Sequence, residues 1–195
     1  DLSGDALNTQ RLQMLRDIAE ELAGEIVFPT CLDLSMQIRA CLREGQASSA
    51  RLQSLLVLEP LISARLVQLA NTTAHNPDKI ELRDVPAACQ RLGIDVVRNL
   101  ALGITSNQIQ HARAMTGFEE LARKLWQHSR ISASACAIIA RHMTRIPAEE
   151  AMFAGLIHDL GAFYMLYRAA QYDELRHRPD TVKYLIMQWH ESIGA

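Results

Sequence analysis

The sequence predicts an all-α protein, a compact multi-helix bundle rather than a long coiled coil. Apolar residues recur three and four positions apart from one end to the other, and the alternation that marks a half-buried strand is never sustained. Short breaks rich in Gly, Pro, Asn and Ser separate these periodic stretches, so the helices are short and numerous. With 195 residues, 49% of them hydrophobic and 22% charged, the chain can bury one sizeable core and still keep an ordinary polar surface.

The elements follow in order. Leu12, Leu15, Ala19 and Leu22 form one stripe of a first helix, which Gly24 and Phe28-Pro29 end; residues 1–27 read as an extra helix or a linker. A second helical pattern runs from Leu32 to Leu42 and stops at Gly45, and Ser48 or Ser49 caps a short helix with Leu52, Leu55 and Leu56. Pro60 suits a first helical turn, opening a helix with Leu61, Ile62, Leu66, Leu69 and Ala70 inward and Asn71 at its end. Asp84 is the expected cap of the next helix, and Gly93 its stop. Val96, Val97, Leu100, Ala101 and Ile104 then form one apolar side, followed by a polar stretch from Ser106 to Thr116.

Two stronger helical patterns fill the second half, separated at Ile146-Pro147. The first carries Phe118, Leu121, Leu125, Cys136, Ala140 and Met143; the second runs from about Ala148 to beyond Met165 with Phe153, Leu156, Ile157 and Leu160 inward. Arg178-Pro179 breaks the chain before Val182 to Trp189. Met143, Met152 and Met165, like Trp126 and Trp189, read as core packing.

Composition excludes several classes of function. A formal net charge of -2 and the lack of an arginine stripe with interleaved aromatics argue against nucleic-acid binding. The longest apolar runs, such as Ala133 to Ala140, are too short for a membrane span or a signal peptide, so a soluble cytoplasmic protein without a membrane partner is expected. Cys31, Cys41, Cys89 and Cys136 are scattered without a Cys-x-x-Cys pair and read as buried free thiols. The chain starts at Asp1 and stops at Gly194-Ala195 in mid-pattern, so it is expected to be a piece of something longer.

The chemistry concentrates in Gly155-Leu-Ile-His158-Asp159-Leu-Gly161, where an imidazole and a carboxylate stand together in an apolar helix. A buried carboxylate needs a partner or a cation, and imidazole with carboxylate suits borderline divalent metals. Ala151, Ala154, Gly155, His158 and Ala162 share a face, so a neighbouring helix can approach closely where the histidine points. His128, on a face with Leu121, Leu125 and Ser132, is the candidate from that neighbour, its ring toward the core. The bland alternative is a structural pair, with His158 bonded in the core and Asp159 serving a helix end or His128. His75, His111, His142 and His177 read as solvated.

His128-Ser129, Ala133, Ala137, Glu150 and the His158-Asp159 stretch resemble the first histidine and the His-Asp dyad of the HD superfamily. Phe28-Pro29-Thr30, Glu59-Pro60-Leu61, Leu69-Ala70-Asn71-Thr72, Ile80, Ala88-Cys-Gln-Arg-Leu-Gly93, Trp126-Gln-His-Ser129 and His190-Glu-Ser-Ile-Gly-Ala195 are similar, in order, to landmarks of the HDOD branch, an HD-related output domain. The resemblance implies an HD-superfamily helical bundle with an additional N-terminal helical half. The HDOD-like domain would cover 28–195, divided into 28–116 and an HD-like half, 117–195, incomplete at its C-terminus.

The same resemblance implies a non-catalytic bacterial signal-transduction module, with signalling proteins or an upstream sensor or receiver domain as partners, and a nucleotide as candidate ligand. Its metal set would be His128, His158, Asp159 and His190, for a divalent transition metal (Mn, Fe or Ni). The alternative is a metal-dependent phosphohydrolase or cyclic-nucleotide phosphodiesterase. Against it, Ala162 stands where active HD enzymes often carry lysine, the distal aspartate is not found, and the glycine-tyrosine-proline signature of the cyclic-di-GMP branch is missing.

Overall fold

A computed structural model describes residues 2–21, 26–43 and 50–194. Every regular element among them is helical. The helices are α1 (Leu2–Glu21), α2 (Leu32–Arg43), α3 (Ala50–Leu56), α4 (Pro60–Ala70), α5 (Val85–Leu92), α6 (Ile94–His111), a 3-10 turn (Ala112–Met115), α7 (Glu119–Met143), α8 (Ala148–Ile157), α9 (Leu160–Ala169), α10 (Asp173–Arg176) and α11 (Pro179–Gly194). Gly24, Gly45, Ser48 and Ser49, named above as breaks and caps, lie outside the described residues, as does Leu22.

Local chemistry explains several boundaries. Asp84 accepts from Ala87 N at 2.7 Å and caps α5, while Gly93, at φ 77°, takes a backbone angle that L side chains rarely adopt and separates α5 from α6. Pro60 opens α4, and Glu59 caps it by accepting from Ile62 N at 2.5 Å. At the far end of α4, Asn71 accepts from Leu82 N at 2.8 Å and donates to Leu82 O at 2.7 Å, tying the following loop back onto the helix.

α4 packs against α5, α6 and α8, while α2 packs against α6 and α3. In the second half α7 lies along α8, and α11 lies along α9. A single hydrophobic core spans both halves, from Ile38, Leu56, Ile62 and Leu66 to Phe163, Met165, Leu166 and Leu185. A buried polar network also joins three N-terminal elements: Thr30 donates to Glu59, Gln108 donates to Glu59 and Phe28 O at 3.1 Å each, and Ser35 donates to Gln108 at 2.7 Å. Among the described residues no single helix is long and apolar enough to cross a membrane.

The structure corrects parts of the sequence reading. α1 docks through Met14 and Ile18, whereas Leu12 and Ala19 are exposed; the docked face is the one that brings Asp17 and Glu21 to a cation on α9. The polar stretch from Ser106 is largely helical: α6 continues to His111, with Thr105 and Gln108 buried, and the 3-10 turn follows. The pattern from Ala148 past Met165 is two helices, broken at His158-Asp159. Met143 and Trp189 sit on solvent-facing sides of α7 and α11 rather than in the core. Of the four free thiols only Cys41 is fully buried; the other three are half-buried.

Candidate metal centre at a helix junction

Small residues bring the elements together. A Cβ on Gly155 would lie 2.9 Å from Cys136 Sγ and Ser132 O and 3.0 Å from Ala133 Cα, so only a glycine lets α8 lie this close to α7. Gly161 does the same for α11: a Cβ there would overlap His190 O and lie 2.7 Å from Gly194 N. The two glycines therefore seat α7 and α11 on either side of the α8–α9 junction, where His158 and Asp159 sit.

The break frees Asp159 for this role. Its backbone carbonyl accepts from Ala162 N at 2.9 Å, but its side chain makes no cap to α9. The carboxylate instead faces three histidines. Oδ2 lies 3.2 Å from His158 Nε2 and 3.3 Å from His128 Nε2, and Oδ1 lies 3.5 Å from His190 Nε2. His128 Nε2 and His158 Nε2 are themselves 3.3 Å apart, and Ser132 Oγ is 3.5 Å from His128 Nε2.

Backbone carbonyls orient two of these rings. A carbonyl oxygen can only accept, so His158 Nδ1 donates to Gly155 O at 3.0 Å and His190 Nδ1 donates to Ile186 O at 2.7 Å. Each ring thus directs Nε2 at the carboxylate, the outer-shell arrangement that fixes metal-ligating histidines. Facing nitrogen lone pairs at 3.3 Å repel unless a proton or a cation lies between them. Ligand atoms held about 2.0–2.1 Å from one ion in a tetrahedral set stand about 3.3 Å apart. The separations of 3.2, 3.3 and 3.3 Å among His128, His158 and Asp159 match that spacing, so the donor set fits one borderline divalent ion.

The sequence reading placed His128 toward the core; its side chain is instead 58% exposed and that of His158 41%, against 11% for Asp159. The cluster thus lies at the surface, two exposed imidazoles over a buried carboxylate. His190 Nε2 lies 3.5 Å from the other carboxylate oxygen, outside the close set of His128, His158 and Asp159. Ser132 and the seating role of Gly161 were not legible as site features, although the run of small residues around Gly155 was. The other histidines lie apart: His111 and His177 bond their own helices, and His142 is exposed on α7.

An all-helical bundle with a His-Asp junction facing a histidine from the preceding long helix defines an HD-type domain. The HDOD domain family matches residues 28–188, and the chain belongs to that family. Two crystal structures of the MmoQ response regulator from Methylococcus capsulatus str. Bath share the fold. One is 21% identical, with a TM-score of 0.61 over 85% of this chain and 67% of that one. The other, of fragment 20-298, is 18% identical, with a TM-score of 0.62 over 85% of this chain and 65% of that one. The chain thus spans about two thirds of either structure. No curated protein matches it.

Proposed function

We propose that this chain is the regulatory part of a bacterial cytoplasmic signalling protein, relaying an input through protein contacts or a small ligand and not by turning over a substrate. Its place in the HDOD family and its likeness in fold to a response regulator support this reading. The observation that carries it is the make-up of the cluster. Two imidazoles and one carboxylate have the spacing for a single ion, His190 stands outside that set beside the second carboxylate oxygen, and position 162, where active HD enzymes often carry lysine, is a buried alanine. His128, His158 and Asp159 would hold a divalent Mn, Fe or Ni ion that cross-links α7 to the α8–α9 junction.

Elemental analysis of protein purified without chelator, set beside Asp159→Asn and His158→Ala, tests the metal site. One equivalent of metal in the wild type and none in either variant is expected. The regulatory reading is tested by assaying the metal-loaded chain against phosphate monoesters, cyclic nucleotides and cyclic dinucleotides; turnover abolished by His158→Ala would overturn it.

One feature favours the phosphohydrolase as a second reading. A centre with three protein ligands and an open face is the arrangement through which a bound metal polarises a phosphate ester and activates water. The exposure of His128 and His158 leaves such a face. In that reading the three ligands hold the ion, with His190 beside the second oxygen of Asp159.

A further inference from the structure

α1 lies outside the family match, which begins at residue 28. It is held by one helical face: Gln10, Met14, Asp17, Ile18 and Glu21. Gln10 accepts from Glu174 N at 3.0 Å, and Met14 and Ile18 are buried. Leu7 and Leu15 pack beside them, and the polar part of the contact centres on Arg168 of α9, whose side chain is only 11% exposed. Its Nη2 lies 3.4 Å from Asp17 and its Nη1 3.1 Å from Glu21. Tyr172 donates to Asp17, and Tyr164 donates to Glu21 at 2.7 Å.

This contact is poorly sealed. An open cavity of about 520 Å³ borders it, lined by Glu20, Glu21, Asn107, His111, Tyr167 and Arg168 among others. Arg168 Nε and Asn107 Oδ1 are buried there without a hydrogen-bond partner among the described residues. Met14 and Ile18 belong to the hydrophobic core, so withdrawing α1 bares an apolar strip beside Arg168 that only another helix of the same pattern would cover.

We infer that the face of α9 and α10 centred on Arg168, Tyr164 and Tyr172 is a docking surface for an acidic amphipathic helix, with α1 as its exchangeable occupant. The recognised pattern is apolar-x-x-carboxylate-apolar-x-x-carboxylate, as in Met14-x-x-Asp17-Ile18-x-x-Glu21. Such a surface lets a segment outside the family domain dock and undock as a unit, and it stands whether or not the His158 centre holds a metal.

The test uses the full chain and the isosteric double variant Asp17→Asn/Glu21→Gln, which leaves Met14 and Ile18 in place. Hydrogen exchange is expected to show the α1 amides opening separately from α4 and α9 in the wild type. In the variant they should exchange at least about tenfold faster, with α4 and α9 unchanged. A fluorescent peptide spanning residues 1–25 should bind the double variant, whose own helix no longer competes effectively, and bind the wild type far more weakly. Adding Arg168→Gln to the double variant should abolish peptide binding. Exchange of α1 and α9 at one common rate in either protein, or equal peptide binding by wild type and double variant, would overturn the inference. These α1-side measurements decide it even if Arg168→Gln fails to fold.

Discussion

Gly161→Ala tests the packing that builds the metal centre. The nearest atoms to the new methyl are His190 O, Gly194 N at 2.7 Å and Gly194 Cα at 3.1 Å, all backbone, so no side chain can swing aside. Ordinary contact begins at 3.4 Å, so the last turn of α11 must retreat by upwards of about 0.7 Å. Overpacking of this kind costs about 1–3 kcal/mol, which in a chain of this size lowers Tm by roughly 2–12 °C. His190 rides on the displaced turn, so its Nε2 moves away from Asp159 Oδ1, which lies 3.5 Å from it in the wild type. Gly103→Ala is the control: it lies on an exposed side of α6 with nothing within 4 Å of a new Cβ, and it should stabilise the chain by about 0.5–1 kcal/mol. Thermal melts and the His190 ring resonances report both variants. Tm shifts of the same sign, or a Gly161→Ala protein with unchanged His190 resonances, would refute this account of the close approach.

Glu59 is fully buried, and desolvation raises its carboxyl above the ordinary glutamate value despite its bonds to Thr30, Ile62 and Gln108. The folded chain therefore keeps this proton to higher pH than the unfolded one. Between the ordinary value and the raised folded one, stability falls as pH rises, with a limiting slope of about 1.4 kcal/mol per pH unit. Glu59→Gln retains an acceptor for Ile62 N and should remove that slope, as read from urea denaturation across the acidic to neutral range. Asn71→Ala removes both bonds to Leu82 and should cost about 1–3 kcal/mol, with faster hydrogen exchange at Leu82 and little change in α6.

Much of this molecule was legible where the cause is local. Asp84 and Pro60 announced helix starts and Gly93 a stop, because caps, a fixed proline φ and a positive glycine φ act within a few residues. The His158-Asp159 pair stood out because a carboxylate in apolar surroundings needs a partner, and the small residues around it announced a close helix, which α7 supplies. The break between α8 and α9 was not legible, since apolar periodicity runs through it. The exposure of His128, Met143 and Trp189 was hidden for a related reason: periodicity gives a face, but not what covers it.

By itself, then, the sequence determined an all-helical chain, several helix boundaries and the family, and it singled out His128, His158, Asp159 and His190 as candidates. Tertiary structure alone decided that His128 and His158 both face one oxygen of Asp159, that His190 stands beside the other, and that Arg168 gathers two acids from α1. The division has a physical basis. Helix propensity and capping are set by neighbours a turn away, whereas the approach of Asp159 to His128 or of Arg168 to Asp17 depends on how far α7 and α1 sink onto α8 and α9, which the packing of the whole core sets.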